Sequence, residues 1–387
     1  MLIKPVLLWS DALILLLLAT VTALVWLARK NDTFRAPWRQ VMASRMGFTT
    51  ALILAVYAGI GLLDSMHYVE RLPATLGQPA DQEAQYSGEV LSALDALLTP
   101  LRVNVEKTYS APLATHLYAK ETVQGPDGVE RRDYPLLKHP GSHLLGTDKV
   151  GQDVLYLSLK SIRTGLLIGS LTTLIMLPFA LALGIAAGYF GGRIDDAIQY
   201  LYTTLNSIPG VLLIAAAVLV VQVQIEAHAE MFNTAAARSD VRLLALCGIL
   251  GVTGWTGLAR LLRAEALKLR ELEFVQAARA FGVTDARILL RHLLPNVMHL
   301  VLITVVIDFS GLVLAEAVLS YVGVGVDPGM ISFGNMINGA RLELAREPVV
   351  WWQLAAAFVF MFVLVLAANL FADQVRDALD PKSKGRA

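Results

Sequence analysis

Two acids, Asp308 and Glu316, stand inside an otherwise apolar stretch running from Val297 to Val322. An ionisable side chain there is costly unless it faces a water-filled path, pairs with a partner or satisfies backbone groups, so both are candidates for a polar path through a membrane. For Glu316 an interhelical or loop-capping contact is the competing reading, because the neighbouring segment with Gly323, Gly325 and Pro328 needs polar partners for its backbone. Asp308 lies deeper and is the better path candidate, with packing against a partner subunit as its alternative. His139 and His143 are four apart, a spacing that suits metal on a helix, but Pro140 and Gly141 between them argue for a solvated loop pair. Cys247 is the sole cysteine, which excludes an intrachain disulfide and points to a small core residue.

The sequence holds no Cys/His cluster, no Gly-x-Ser-x-Gly elbow and no His-Glu-x-x-His, so catalysis has no visible seat. It also lacks Gly-x-x-x-x-Gly-Lys-Ser/Thr, the phosphate-cradling loop it would need to hydrolyse ATP itself. The expectation is a chain that is not an enzyme and binds no metal or cofactor of its own.

The elements that position these residues are membrane helices. Of 387 residues, 56% are hydrophobic and 17% charged, with mean hydropathy +0.57, far from a soluble domain. The net charge of +0 is spread over loops and forms no basic stripe, so nucleic acid is not an expected partner. A hydrocarbon core about 30 Å thick needs about 20 apolar helical residues. Stretches of that kind run from Val6 to Ala28, Gly47 to Leu63, Gly165 to Tyr189, Ile198 to Val223, Leu243 to Ala259, Val297 to Val322 and Trp351 to Phe371. The fold expected is all-α and polytopic, with about seven transmembrane helices. Arg29, Lys30, Arg35, Arg39 and Arg45 mark residues 29–45 as cytoplasmic by the positive-inside rule. Alternation then puts the amino terminus and residues 64–163 outside, and the tail with Arg376, Lys382, Lys384 and Arg386 inside. The first stretch exceeds a signal-peptide core and lacks a small-residue cleavage site, so it reads as an anchor.

Residues 258–296 are charged and helix-patterned between two spans. Leu258, Leu261, Leu262, Ala266, Leu269, Leu272 and Val275 recur at helical spacing and predict one amphipathic helix. Gly282 suits a left-handed cap, Thr284 with Asp285 starts a short second helix, and Pro295 predicts a stop at Leu294.

Gln276-Ala277-Ala278, Gly282 and His292-Leu293-Leu294-Pro295 resemble the EAA loop of ABC-importer permeases. Gln276 stands for the usual acid and His292 for the usual Ile. Residues 143–155, with Leu145-Gly146-Thr147-Asp148 and Gly151-Gln152-Asp153, are similar to a signature of the C-type permeases of dipeptide and oligopeptide importers. From the residues alone, Asp148 and Asp153 can cap or orient a short helix leading to the next span, with Gly146 and Gly151 permitting turns. The stretch Glu316 to Val326, then Phe333-Gly334-Asn335-Met336, and the ending Asn369 to Pro381 resemble the same family in the same order.

That resemblance implies a six-helix type I ABC importer core preceded by an extra helix and a periplasmic insertion. The divisions are residues 1–63 as an N-terminal anchor pair, 64–163 as a periplasmic subdomain, 164–373 as the permease domain with its coupling loop at 258–296, and 374–387 as a cytoplasmic tail. It further implies that Gln276, Ala277, Ala278, Gly282, Leu294 and Pro295 shape a loop docking on separate ATPases, which use ATP and Mg. The other implied partners are a homologous B-type permease, a periplasmic binding protein, a peptide substrate and the bilayer of a bacterial inner membrane. Related systems carry nickel, glutathione or peptide antibiotics. A membrane-anchored enzyme or sensor acting through residues 64–163 is the alternative class, although that segment shows no convergent acid, base and nucleophile.

Overall fold

In a computed structural model, the structure describes residues 3–28, 32–72, 86–124, 130–232 and 234–379. Arg29, Lys30, Lys382, Lys384 and Arg386 lie outside them, as does the side chain of Arg35.

The elements run β1 (Ile3–Pro5), α1 (Trp9–Ala28), α2 (Asp32–Ala43), α3 (Arg45–Asp64), β2 (His67–Glu70), β3 (Leu91–Ser92), α4 (Ala93–Leu97), α5 (Thr99–Val103), β4 (Glu121–Gln124) and β5 (Glu130–Asp133). Then follow α6 (Val154–Phe190), α7 (Gly192–Ser207), α8 (Gly210–Ala227), α9 (Ala235–Gly254), α10 (Thr256–Leu269), α11 (Glu273–Ala280), α12 (Asp285–Ile288), α13 (Leu294–Val322), α14 (Phe333–Ala340) and α15 (Trp352–Leu379). Among the described residues six helical stretches are long and apolar enough to cross a membrane, and Trp9–Thr20 is a shorter apolar seventh.

The spans alternate in direction, so two ends of the bundle can be recognised. At one end β1, β2 and β3 form an antiparallel sheet and β4 pairs with β5. Trp352 at the start of α15 donates there from Nε1 to Thr147 O at 2.9 Å. At the other end Ser44 caps α3 and its hydroxyl meets Gln374 Oε1 at 2.7 Å. Residues 191–209 and 270–293 share this second end.

Several boundaries differ from the sequence expectation. The span expected from Ile198 to Val223 is α8 alone; Pro209 holds Ile208 extended (φ −92°, ψ 131°), which ends α7 and makes it a separate amphipathic helix. The preceding span, α6, starts at Val154, earlier than Gly165, so Arg163 is a buried helical residue and not part of a loop. Asp153 does cap that helix, its Oδ1 accepting from Leu155 N at 2.8 Å and Tyr156 N at 3.2 Å, but it caps the long span itself instead of a short leader. The strands between residues 64 and 153 had no alternating apolar pattern to announce them, since β4 and β5 read Glu-Thr-Val-Gln and Glu-Arg-Arg-Asp and are almost wholly exposed.

Three apolar clusters hold the bundle. One joins the strand-bearing end to α3, α6, α13 and α15 through Tyr109, Ile162, Val313, Phe333 and Trp352. A second gathers α6, α8, α9 and α13, and here Cys247 is fully buried as a small core residue. The third binds α6 to α10–α13 at the opposite end through Tyr189, Leu258, Leu262, Val275, Ile288 and Leu293.

Candidate functional site

At the end opposite the strands, α10 to α12 fold into an elbow. The single amphipathic helix expected from Leu258 to Val275 is instead two, because Leu272 is extended (φ −73°, ψ 143°) and α11 starts afresh at Glu273. Val275 is fully buried and pins α11 to the third cluster, while Phe274, Phe281 and Leu290 stay exposed, Phe281 at 87%. Such a row of uncovered apolar side chains on a small protrusion marks a contact surface.

The sharpness of the elbow comes from a Schellman cap. Gly282 has φ +74°, Val283 N–H reaches back to Ala278 O at 3.0 Å, and Gly282 N–H donates to Arg279 O at 2.9 Å. Ala278 packs partly against the cluster, Ala277 accepts from Phe281 N at 2.9 Å, and Gln276 Nε2 donates to Glu271 O at 3.1 Å from an exposed position. Thr284 takes the extended cap position without a side-chain bond; Asp285 accepts instead from the Tyr189 hydroxyl at 2.6 Å. The Arg279 guanidinium lies 4.4 Å over the Tyr189 ring, so the elbow is tied to the end of α6.

The stop expected at Leu294 is absent. Leu294 is helical (φ −52°, ψ −47°), and a π-turn from Leu289 to Leu293 feeds directly into α13 with Pro295 in its first turn. Leu294 N–H donates to Leu289 O, so helical hydrogen bonding runs through the junction and the elbow continues directly into α13.

Residues not singled out in the sequence hold the elbow's other arm. A side chain at Gly184 would meet Ala259 O at 2.7 Å, and one at Gly188 would meet Arg263 O at 2.5 Å, so these two glycines let α6 and α10 touch. Their small-xxx-small spacing was the available signal. Arg263 then clamps Asp195 of α7 with Nε–Oδ1 at 2.5 Å and Nη2–Oδ2 at 2.6 Å, and the guanidinium bonds hold the Asp195 carboxyl below its usual range despite some burial.

Glu316 is 1% exposed. Its carboxylate accepts from Ser320 Oγ and Ser332 Oγ, both at 2.8 Å, and from Gly334 N at 3.3 Å, which fixes the turn between α13 and α14. This is the loop-holding contact weighed against a path role. Asp308 is half-buried, with no hydrogen-bond or ion-pair partner among the described residues. The structure does not bring the two acids together, since they lie two turns apart on α13.

His143 is not solvated. It is 2% exposed, with Nδ1 2.9 Å from Asp153 Oδ2 and Nε2 3.8 Å from Glu106 Oε1, and it braces the strand-bearing end against the start of α6. Pro140 and Gly141 did exclude a helix, but the turn they make at Gly141 (φ +71°) folds His143 inward.

Residues 180–385 match the family model described as "Binding-protein-dependent transport system inner membrane component". The chain is 33% identical over 250 residues to the oligopeptide transport system permease protein of Mycobacterium bovis, covering 64% of this chain and 79% of that one. It is 29% identical over 259 residues to the dipeptide transport system permease protein of Bacillus subtilis, covering 66% and 75%. A solved structure of the MetNI methionine ABC transporter, in an inward-facing conformation, aligns at TM-score 0.44 and 17% identity over 59% of this chain and 98% of its own.

Proposed function

The chain belongs to the family of binding-protein-dependent transport system inner membrane components, and on that premise we propose that it is the C-type permease of an importer that moves di- or oligopeptides across a bacterial inner membrane. It is a multi-pass membrane protein of a transport family whose members work with separate ATPase and permease subunits.

The observation that carries the mechanism is the elbow itself: an exposed short helix whose buried Val275 and Tyr189 contacts make it move with α6 and α13. Two ATPase subunits closing on ATP and Mg would push α11, and the unbroken path from the elbow through the π-turn into α13 would turn that push into helix motion. Gln276, Ala277, Ala278, Gly282, Leu294 and Pro295 shape this lever. The permease pairs with a homologous B-type partner, receives peptide from a periplasmic binding protein, and rocks around a shared path to which Asp308 contributes. This chain holds no cofactor, and catalysis belongs to the ATPases. In this orientation the elbow and the residues 374–387 tail face the cytosol, while residues 64–163 form the periplasmic subdomain between the residues 1–63 anchor pair and the residues 164–373 permease domain.

Purifying the chain with its genomic neighbours in mild detergent and reconstituting it in liposomes tests the reading. ATP-dependent peptide uptake that requires a co-purifying ATPase is expected. Recovery without an ATP-hydrolysing companion, or a reporter at Gly282 that reads outside, overturns it.

A further inference from the structure

Asp308 sits fourteen residues from each end of α13, about 21 Å along the axis either way, and no other charged side chain in the described spanning helices lies so far from both helix ends. Nearer the helix ends, buried charges have partners. Arg163 meets Asp11 at 2.7 Å, Lys160 meets Asp95 at 2.7 Å and Asp64 at 3.0 Å, Arg242 meets Asp327 at 2.6 Å, and Glu316 has its three donors. Asp308 alone at that depth is left without one among the described residues. The adjacent Ile307 is 56% exposed, so this chain leaves part of α13 uncovered at that level.

A carboxylate at the middle of a spanning helix stays ionised only where water or a compensating positive charge reaches it from outside the chain. A permanent ion pair with another subunit would desolvate two charges for little or no net stability. A charge that arrives and leaves with the cargo has a use there, because it offsets the cost of moving a cation past the midplane. We propose that Asp308 is the site at which the permease holds the positive charge of its cargo, so that peptides of net positive charge are favoured; the inference rests on the peptide-import reading above.

The test is ATP-driven uptake by the complete reconstituted importer of Ala-Lys-Ala, Ala-Ala-Ala and Ala-Glu-Ala, in wild type, Asp308→Asn and Asp308→Glu. The wild type should prefer the lysine peptide. In Asp308→Asn that preference, read as the ratio of kcat/KM values, should fall on the order of tenfold to a hundredfold, the worth of a hydrogen bond to a charged group. Asp308→Glu should restore most of it. An equal change for all three peptides overturns the inference alone, as does an Asn variant that no longer assembles with its partner permease, which makes Asp308 a subunit contact. A wild type that takes up none of the three removes the peptide reading and the inference with it.

Discussion

The Asp11 carboxylate lies 2.7 Å from Nη2 of Arg163, joining the first helix to the longest one at a place where neither side chain is more than 8% exposed. The same guanidinium donates to Ser10 Oγ at 2.8 Å and Ser65 Oγ at 3.1 Å, and His67 Nδ1 stands 2.7 Å from the other Asp11 oxygen. Ser10 N–H also reaches Asp240 of α9 at 3.0 Å. The added helix α1 is therefore fastened to α6, α9 and the sheet by charge, not only by apolar contact.

Removing one member of that pair leaves a buried charge without its partner. Asp11→Asn or Arg163→Met should each lower stability by about 3–5 kcal/mol, while the double replacement Asp11→Leu with Arg163→Met should lose much less. Thermal unfolding of the detergent-solubilised protein measures this. Single variants that melt with the wild type would mean that α1 is peripheral to the folded unit.

Much of this architecture was legible in the chain. The spans were visible because a run of about 20 apolar residues has few other uses, and the elbow was visible because Gly282 and the Ala277-Ala278 pair are local turn chemistry. The Asp11–Arg163 pair was not, since its partners are 152 residues apart and nothing local selects Asp11. His143 was misread because the bond that holds it inward, to Asp153 at 2.9 Å, depends on the fold of the intervening turns, which side-chain spacing does not reveal. The breaks at Leu272 and Ile208 were missed because apolar periodicity runs through them while the backbone does not.

The close approach of α6 to α10 makes a second expectation. Gly188→Val puts its Cβ against Arg263 O and the Ala266 Cβ, at 2.5 and 2.6 Å before relaxation, and both belong to a packed helix that cannot yield locally. Overpacking of this kind costs about 1–3 kcal/mol. Gly257→Ala, whose Cβ would meet no atom within 4 Å, is the control. Melting temperature and uptake should both fall for the valine and hold for the alanine; equal behaviour of the two would remove the packing argument.

At Gly282 the cost is conformational. Its Cβ would meet nothing within 4 Å, yet φ is +74°, where a β-branched residue is strained by about 1–2 kcal/mol. Gly282→Val should deform the cap and reduce uptake while the ATPases remain bound, and Gly282→Asn, which tolerates that backbone, should recover most of the transport. Full uptake by the valine variant would deny the elbow its coupling role.

The Asp195–Arg263 clamp carries a pH signature. The guanidinium bonds keep the Asp195 carboxyl below its usual pKa of about 3.9. Its stabilising contribution is therefore complete above the unfolded value and is lost only as pH falls through the lower, folded one. Asp195→Asn removes the charge at every pH, so the melting-temperature gap between wild type and variant should stay constant from about pH 8 to about pH 5 and close only below about pH 4. A gap already closing at pH 6 would assign the titration to another group and leave α7 held to α10 by its apolar face alone.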